Sequence, residues 1–180
     1  MTRHPLEVLR TERLRLRLVE PGDAAVFLEL FNDPAFIEHI GDRGVRTLEA
    51  AAKSIEDGPV AMQRTRGHSM YMVELLGAGG AAVPVGLSGL IKRDALEDVD
   101  LGYAFLPGHR GQGYAFEAAR AVVAHARALG IPRLVAITTP GNAASIALLL
   151  RLGMCFQGTR VVVPGEPELN LYGMDLPYAR

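Results

Sequence analysis

The sequence predicts an α/β fold, in one domain that spans residues 1–180. Three observations predict it. Short runs rich in β-branched and aromatic residues are bounded by glycine and proline, as β-strands are. Alanine-rich segments without internal proline lie between these runs, as helices do. No internal repeat or low-complexity linker interrupts this mixture, and a chain of this length can bury one sizeable core.

Composition and charge exclude several classes of function. Hydrophobic residues make up 49% of the chain and charged residues 22%, as in ordinary globular proteins. The formal net charge is −1, so we expect neither a nucleic-acid partner nor a membrane partner. No apolar run is long enough to span a membrane and the N-terminus lacks a signal-peptide pattern. A cytoplasmic location is therefore expected.

Disulfide and metal chemistry are not expected. Cys155 is the single cysteine, which excludes an internal disulfide and fits a reducing compartment. It stands between Met154 and Phe156, so we expect a buried, inert thiol rather than a nucleophile. No cluster of histidine, cysteine and carboxylate residues has the spacing of metal ligands, so no metal is expected.

The first predicted strand covers residues 13–18, where arginine and leucine alternate strictly. Such alternation is typical of a strand with one buried face, and it predicts that the arginines face solvent. An anion-binding patch is the alternative interpretation of the same arginines.

Two helices are predicted next. The first covers residues 24–31, with Asp23 as its N-cap. A proline ends it, and residues 35–46 are expected to be irregular. Thr47 starts the second helix, which is expected to end near Pro59 or slightly beyond.

The remainder of the chain contains a hairpin and then alternating strands and helices. A flexible glycine-rich turn joins the two strands of the hairpin, and a charged loop follows it. Glycine and proline end the long helix. The predicted strands cover residues 69–75, 83–90, 99–106, 133–139, 156–163 and 169–176, and the predicted helices cover residues 113–129 and 142–152.

The turn that joins the central strand to the long helix carries His109-Arg110-Gly111-Gln112-Gly113. Unpaired N–H groups at the start of a helix bear about half a positive charge, and glycine lets the backbone approach an anion closely. The turn therefore predicts a phosphate cradle, to which Arg110 and His109 add side-chain charge. A plain connection between a strand and a helix is the alternative.

Two other phosphate-binding motifs do not fit this turn. A P-loop needs lysine and then serine or threonine after the last glycine, whereas Tyr114 and Ala115 follow here. A dinucleotide-binding turn needs a third small residue where this chain has Phe116, and it belongs in the first strand–helix unit of its domain. A nucleotide-binding α/β domain therefore remains a hypothesis, but these residues do not favour it.

Residues 110–115, R-x-x-G-x-A, resemble the acetyl-CoA signature of the GCN5-related N-acetyltransferases, the GNAT family. The flanking sequences D-L-G-Y and G-Y-A-x-E-A look like the branch that acetylates ribosomal-protein N-termini, the RimJ/RimL type. A second match, which includes Asn142 and Ser145, lies downstream in the order that the family has. The resemblance is firm over residues 99–156 and looser near the N-terminus.

This resemblance implies the GNAT fold, a mixed and mostly antiparallel sheet of about seven strands with about four helices. The sheet is expected to split between the central strand and the strand after the long helix. The resemblance also implies acetyl-CoA as co-substrate, with its pantetheine arm in the split. The residues implied to contact acetyl-CoA are Phe105, Leu106, His109, Arg110, Gly111, Gln112, Gly113, Tyr114, Ala115, Asn142 and Ser145.

The resemblance also suggests a catalytic base. Asp100 is the first candidate, because the family often has glutamate at this position, and strand alternation directs Asp98 to the same face. Two solvated carboxylates at the mouth of the strand are the alternative. An ordinary aspartate has a pKa near ~3.9 and is a poor base unless burial raises this pKa. The N–H groups of Phe105 and Leu106 are candidates to stabilise the oxyanion.

The candidate acid is less well defined. Leu149 stands where many members of the family have a tyrosine that protonates the leaving thiolate. Ser145 is therefore the remaining candidate, as in the RimL-like branch, and ordinary helix capping by Asn142 and Ser145 is the alternative. The need for an acid is modest, because a thiol pKa near ~8.5 makes thiolate a tolerable leaving group.

We therefore predict an acetyl-CoA-dependent N-acetyltransferase that acts by direct transfer to a primary amine, either a protein N-terminus or a small molecule. An α-amine, with a pKa of roughly 7.7–8 against ~10.4 for lysine, is slightly favoured. His39 and Tyr172 are candidates to line the acceptor pocket, whereas Glu117 and His125 are expected to be structural. A non-catalytic acyl-CoA-binding module is the alternative, and a homodimer is left open.

Overall fold

A computed structural model of the protein describes residues 6–177. Its strands are β1 (Glu7–Arg10), β2 (Leu14–Leu18), β3 (Met70–Leu76), β4 (Ala82–Ile91), β5 (Val99–Phe105), β6 (Arg133–Thr138), β7 (Cys155–Arg160) and β8 (Leu169–Asp175). All eight lie in one sheet, in the order β1-β2-β3-β4-β5-β6-β8-β7. Neighbouring strands are antiparallel except β5 and β6, which are parallel.

Helices cover both faces of this sheet. They are α1 (Ala24–Phe31), α2 (Pro34–His39), α3 (Leu48–Ile55), α4 (Ala61–Arg66), α5 (Tyr114–Ala128) and α6 (Ala143–Arg151), and a π-helical turn over Glu56–Val60 links α3 to α4. One apolar cluster joins α5 to the centre of the sheet through residues such as Tyr71 and Val122. A second cluster joins α1, α2 and α3 to the opposite face through residues such as Met72 and Leu87.

The sheet opens between β5 and β6. These strands pair through Val99 with Leu134 and through Asp100 with Val135. Both strands continue for several residues beyond these pairs, towards their carboxyl ends, but in the described chain they no longer pair with each other. The split that the family resemblance implies is therefore confirmed, and it begins at the predicted base.

The structure has one more strand and more helix than expected. β1 is a four-residue strand in a segment where the sequence pattern predicts no element, and it pairs only with β2 among the described residues. α2 occupies part of the stretch expected to be irregular. Pro34 begins this helix because Asp33 caps it, accepting a hydrogen bond of 3.0 Å from Phe36 N. Proline is well tolerated in a first helical turn, where its missing N–H costs nothing.

Pro59 does not end the second predicted helix. It lies in the π-helical turn, where Ala61 N donates to Glu56 O, five residues back. This wider turn accommodates a residue that cannot donate and whose ring would meet a carbonyl in a regular α-helix. The helical path then continues through α4 to Gly67, whose φ of 74° ends it.

The two arginines of β2 are held in ion pairs rather than solvated, with Arg17 buried and Arg15 half-buried, whereas Arg13, just before the strand, is exposed as expected. Arg17 is 5% exposed, and its guanidinium binds Asp23 at 2.8 Å and Glu74 at 2.8 Å. Arg15 binds the second oxygen of Glu74 at 2.6 Å. Asp23 precedes α1 as predicted, but its carboxylate accepts from Arg17 and from the backbone of Glu20 rather than from α1. Because helices cover both faces of the sheet, strict alternation does not identify a solvated face here.

The prediction of a buried cysteine is wrong. Cys155 is exposed at the start of β7. β7 is the last strand of the sheet, so its side chains have neighbours on one side only.

Within residues 6–177, no helix is both long enough and apolar enough to cross a lipid bilayer.

Candidate active site

A cavity of about 480 Å³ lies where β5 and β6 separate. Its walls are formed by the two split strands, by α1 and α2, by the π-helical turn, by the start of α6, and by the loop between β7 and β8. The apolar part of the lining includes aromatic rings of α1. The polar and charged side chains of the lining include His39, Asp42, Arg43, Arg93, Asp100, Tyr103, Thr138, Asn142, Ser145 and Glu166.

Asp100 lies in the wall of this cavity and is 1% exposed. Arg93 Nε donates a hydrogen bond of 2.6 Å to Asp100 Oδ2, whereas Asp100 Oδ1 has no hydrogen-bond partner among residues 6–177. Burial raises the pKa of the Asp100 carboxyl to about 6, against the opposing effect of the Arg93 charge and hydrogen bond. The carboxylate is thus a stronger base than a solvated aspartate, and Oδ1 is the oxygen left to accept a proton.

Tyr103 brings a phenol to the cavity. Its hydroxyl oxygen lies 2.8 Å from Ser145 Oγ, which joins β5 to the first turn of α6. Asn142 caps this helix by accepting a hydrogen bond of 3.1 Å from Ser145 N, and so fixes Ser145 in position. Burial raises the pKa of Tyr103 to about 12, against the effect of its hydrogen bond with Ser145. The phenol therefore stays protonated at neutral pH.

The position of the missing tyrosine is filled by Leu149. This leucine is 1% exposed and lines the same cavity from the next turn of α6. Tyr103 supplies a phenol near Ser145 from a different element, the central strand. Tyr103 was expected only to line the core or the cleft, although its place in D-L-G-Y, three residues after Asp100, already put it on the strand that borders the split.

The loop before α5 presents a row of backbone donors. Gly111 and Gly113 have φ values of 72° and 82°, which side-chain-bearing residues rarely adopt. Within the described part of the chain, the N–H groups of residues 111–115 have no hydrogen-bond partner, and Glu117 N is the first to bond back, to Gly113 O at 3.0 Å. Unpaired donors at the start of a 15-residue helix bind anions well.

Glu117 holds this loop in place. Its carboxylate accepts hydrogen bonds from Thr11 Oγ1 at 2.6 Å, from Arg13 N at 3.0 Å and from Arg13 Nε at 2.7 Å. Arg13 Nη1 in turn donates to Gln112 O at 2.9 Å. Glu117 is therefore structural, as predicted, and its charged partner is Arg13, which lies before β2 rather than on the same helix. A recess of about 220 Å³ beside the loop is lined by three arginines, Arg13, Arg120 and Arg151.

Arg110 does not direct its charge towards the loop. Its Nε donates to Phe105 O at 2.8 Å, and its Nη2 donates to Asp33 Oδ2 at 2.6 Å. The same Asp33 carboxylate caps α2, so Arg110 fastens the loop to that helix. Although burial acts to raise the pKa of Asp33, the bonds from Arg110 and from backbone N–H groups hold this pKa below its usual value. The expected side-chain charge of Arg110 in the cradle is thus already neutralised.

Only one of the two predicted oxyanion donors is free. Leu106 N donates to Val85 O at 2.9 Å, so this N–H is not available. The same bond makes Phe105 and Gly86 a non-hydrogen-bonded pair in the antiparallel ladder of β4 and β5. The N–H of Phe105 therefore points away from β4 and towards the split. Phe105 is retained as a candidate donor, and Leu106 is not.

Two residues expected at the pocket lie elsewhere. Asp98 precedes the first paired residue of β5, and its carboxylate lies 3.3 Å from Arg133 Nε. Tyr172 is 4% exposed, and its ring packs edge-on against Phe156 with centroids 5.6 Å apart. Neither residue lines the cavity. Asp98 forms an ion pair with Arg133 and Tyr172 packs against Phe156, and folding brings each pair together from different parts of the chain.

His39 and His125 lie where they were expected, the first in the lining of the cavity and the second in the packing of a helix. His39 lines the cavity from the end of α2, with Nδ1 3.2 Å from Thr139 Oγ1. His125 belongs to the packing of α5, where its Nε2 lies 3.2 Å from the hydroxyl of Tyr71.

Among residues 6–177, no group of three or more histidine, cysteine or acidic side chains is arranged to hold a metal ion.

Comparisons with known proteins agree on one family. A family model described as an acetyltransferase (GNAT) domain matches residues 13–155. An uncharacterized N-acetyltransferase of Bacillus subtilis, YoaA, is 27% identical over 175 residues, which cover 94% of this chain and 97% of the relative. The crystal structure of an acetyltransferase from Agrobacterium tumefaciens superposes with a TM-score of 0.76 at 27% identity, covering 97% of both chains.

The same fold occurs in a ribosomal-protein acetyltransferase. RimL, a ribosomal L7/L12 alpha-N-protein acetyltransferase solved in complex with coenzyme A, superposes with a TM-score of 0.78. The alignment covers 94% of this chain and 98% of that chain at 18% identity. At this level of identity, the likeness is one of fold.

Proposed function

Because the chain belongs to the GNAT acetyltransferase family, we propose that it transfers an acetyl group from acetyl-CoA directly to a primary amine, with residues 1–180 acting as one domain. One observation supports this function most strongly. The cavity at the split of β5 and β6 contains a buried carboxylate whose pKa is about 6 and a hydroxyl pair that can donate a proton. An acid and a base beside the same opening suit transfer between two bound substrates.

The residues around the split suit acetyl-CoA as co-substrate. The pyrophosphate would lie on the unpaired N–H groups of residues 111–115, with His109 and Gln112 flanking it. The pantetheine arm would pass between β5 and β6, where the N–H of Phe105 faces the opening. Asn142 and Ser145 would form the opposite wall, at the start of α6. Acetyl-CoA supplies an acetyl thioester, and the protein supplies orientation and proton transfer.

The step itself needs one base and, at most, one weak acid. The amine nitrogen bonds to the acetyl carbon, and the bond from that carbon to sulfur breaks. Asp100 Oδ1 accepts the proton that the amine loses, because Oδ2 is held by Arg93. The departing sulfur takes a proton from Ser145 Oγ, Tyr103 resupplies that proton across 2.8 Å, and the tyrosine regains its own proton from solvent while Asp100 releases one to solvent. The N–H of Phe105 is placed to steady the negative charge on the carbonyl oxygen.

We propose an α-amine as the acceptor, on a protein N-terminus or a small molecule. A base with a pKa of about 6 matches an α-amine, with a pKa of roughly 7.7–8, better than a lysine side chain near ~10.4. RimL, whose fold this chain shares, is named for acetylating the α-amine of a ribosomal protein. That activity belongs to RimL and serves here only to choose the first acceptors for testing.

An assay of thiol release with acetyl-CoA and a panel of amines and N-terminal peptides tests this function. We expect turnover with at least one acceptor, and a loss of about 100-fold or more in kcat for Asp100→Asn, which keeps the shape but cannot accept the proton. Asp98→Asn is the matched control, because Asp98 lies outside the cavity. Tight acetyl-CoA binding by calorimetry without turnover on any acceptor would favour a non-catalytic acyl-CoA-binding module.

A further inference from the structure

Two arginines face the acceptor side of the cavity without a full set of partners. Arg43 follows α2 and lines the cavity, and its guanidinium makes no hydrogen bond or ion pair with any residue from 6 to 177. Arg93 lines the same cavity and uses Nε to bind Asp100. Its two terminal nitrogens have no carboxylate partner in the described chain. The site therefore presents guanidinium donors that the fold itself does not use.

The electrostatics of this pair are unfavourable in the protein alone. Arg43 is open to solvent, yet desolvation lowers its pKa, because it lies inside a concave cavity rather than on a convex surface. The positive charge of Arg93 lowers this pKa further, and Glu166 opposes it only as the weakest of the three effects. Like charges that share a partly desolvated site are relieved when an anion binds between them.

The nearby acidic residues do not supply that anion. Asp42 lines the cavity but is bound by Arg46 Nη2 at 2.6 Å and by Gly44 N at 2.8 Å. Glu166 lines the cavity without an ion pair of 4.0 Å or less to Arg43 in the described residues. Asp100 is already bound to Arg93 Nε. A ligand is then the remaining source of a carboxylate or phosphate.

We propose that the acceptor is an amine that carries a carboxylate or phosphate group, and that Arg43 and Arg93 bind this group. The inference rests on the proposed transfer reaction and specifies its substrate class. Arg93 touches the anion with its terminal nitrogens and Asp100 with Nε, so it places the amine of the same molecule near Asp100 Oδ1. Guanidinium groups bind carboxylate and phosphate through paired hydrogen bonds, which also fixes orientation.

Matched acceptors test this specificity. We compare aspartic acid α-amide with asparagine α-amide, two small α-amines that differ only in a side-chain carboxylate, and a peptide that begins Ser-Asp with the same peptide beginning Ser-Asn, by thiol release at saturating acetyl-CoA. The anionic member of at least one pair should have a kcat/KM about 10- to 100-fold higher, mainly through a lower KM. Preference within the first pair indicates a small-molecule acceptor, and preference within the second indicates an acidic N-terminus.

A variant tests whether Arg43 is responsible for this preference. Arg43→Gln should lower kcat/KM for the anionic acceptor about 10- to 100-fold and leave the neutral acceptor almost unchanged. Arg64→Gln, at an exposed arginine that does not line the cavity, is the control and should change neither. Equal use of anionic and neutral acceptors by the wild type, or a preference that survives in Arg43→Gln, overturns the inference but leaves the transferase function standing.

A binding measurement separates this inference from the reaction itself. The N-acetyl derivatives of aspartic acid α-amide and of asparagine α-amide are titrated into the CoA complex of the wild type and of Arg43→Gln by calorimetry. Binding that needs both the carboxylate and Arg43 supports the anion site, even if no acceptor is turned over, in which case the transfer function alone fails. Binding that is equal for the acid and the amide, or absent for both, overturns the anion site.

Discussion

The two oxygens of the Asp100 carboxylate have different surroundings, and the proposed mechanism gives them different tasks. Oδ2 is tied to Arg93 at 2.6 Å, which fixes the orientation of the group. Oδ1 is buried without a partner in the described chain, which leaves it able to take a proton. Burial raises the pKa of the carboxyl to about 6 in spite of the arginine. The same residue in solvent would have a pKa near ~3.9 and would be a weaker base.

This pKa predicts the shape of the pH–rate profile. With an α-amine acceptor, log kcat/KM should rise with a slope of 2 below pH about 6 and with a slope of 1 between about 6 and 8. Both groups must be deprotonated for attack, so each contributes one ascending limb. Initial rates over pH 4.5–9, in buffers of about constant ionic strength, check the profile. A single break, at the pKa of the amine alone, would contradict the assignment of Asp100 as base.

The hydroxyl pair of Tyr103 and Ser145 predicts a shared effect on kcat. Tyr103→Phe and Ser145→Ala should each lower kcat about tenfold, because each removes one link between the phenol and the sulfur. The KM for acetyl-CoA should change little. A raised phenol pKa of about 12 also predicts no loss of activity up to pH about 10. Full activity of Tyr103→Phe beside an inactive Ser145→Ala would show that the serine acts without the tyrosine.

The loop before α5 depends on two glycines in left-handed conformations, and Gly113 is the more restricted of the two. A Cβ atom on Gly113 would lie 3.3 Å from Arg13 Nη2, and its φ of 82° strains any side-chain-bearing residue. Gly113→Val should therefore tilt the donors of residues 111–115 and raise the Kd for acetyl-CoA about tenfold or more. Calorimetry on the purified variant measures this change.

Gly130 offers a matched control at the other end of the same helix. Its φ is 76° and a Cβ atom there would meet nothing within 4 Å, so Gly130→Val introduces similar backbone strain away from the loop. Both variants should lose stability, but only Gly113→Val should lose affinity. An unchanged Kd in Gly113→Val, or equal changes in the two variants, would argue against the loop as the anion-binding element.

The ion pairs of β2 predict a large cost for a single substitution. Arg17 is 5% exposed and shares Glu74 with Arg15 while it also binds Asp23. Arg17→Met leaves buried carboxylates short of a partner and should lower the free energy of unfolding by about 3–5 kcal/mol. Arg10→Met is the control, since the Arg10–Glu7 pair is exposed and its loss should hardly matter. Urea denaturation compares the two, and a small effect of Arg17→Met would mean that water reaches this cluster.

Much of the architecture could be predicted from the sequence because it depends on local patterns. The long helix, the turn before it and the hairpin of β3 and β4 all follow from periodicity and from the placement of glycine and proline. Pro34 and Pro59 show where such patterns are insufficient. The first begins a helix because Asp33 caps it, and the second lies in a π-helical turn that takes up its missing donor. The presence of proline alone predicts neither the cap that Asp33 provides nor the π-helical turn around Pro59.

The segments that form the candidate active site could be predicted from the sequence, but most of the contacts between their side chains could not. Residues 110–115 and Asp100 could be found by family resemblance, and the family model confirms that assignment of family. The contact of Tyr103 with Ser145, the capture of Arg110 by Asp33, and the burial of Arg17 each join residues far apart in the chain. Such contacts arise when helices cover both faces of the sheet, and strand alternation cannot report which partner lies across the fold.

The split in the eight-stranded sheet determines how Asp100, the loop before α5 and the hydroxyl pair of Tyr103 and Ser145 lie relative to one another. The parallel pair of β5 and β6 holds together at Asp100 and opens beyond it, so the proposed base lies at the closed end of the split. The proposed anion-binding loop follows the open end of β5. A thioester placed between them would have the proposed acid pair on the α6 side and the acceptor cavity on the side of α1 and α2.

A crystal structure of the wild-type protein with coenzyme A and an acceptor amine tests this arrangement most directly. The pyrophosphate should accept hydrogen bonds from the N–H groups of residues 111–115, and the sulfur should lie within hydrogen-bond distance of Ser145 Oγ. The amine should approach Asp100 Oδ1 in the cavity between β5 and β6. Coenzyme A bound elsewhere, or an amine held on the far side of the sheet from Asp100, would contradict it.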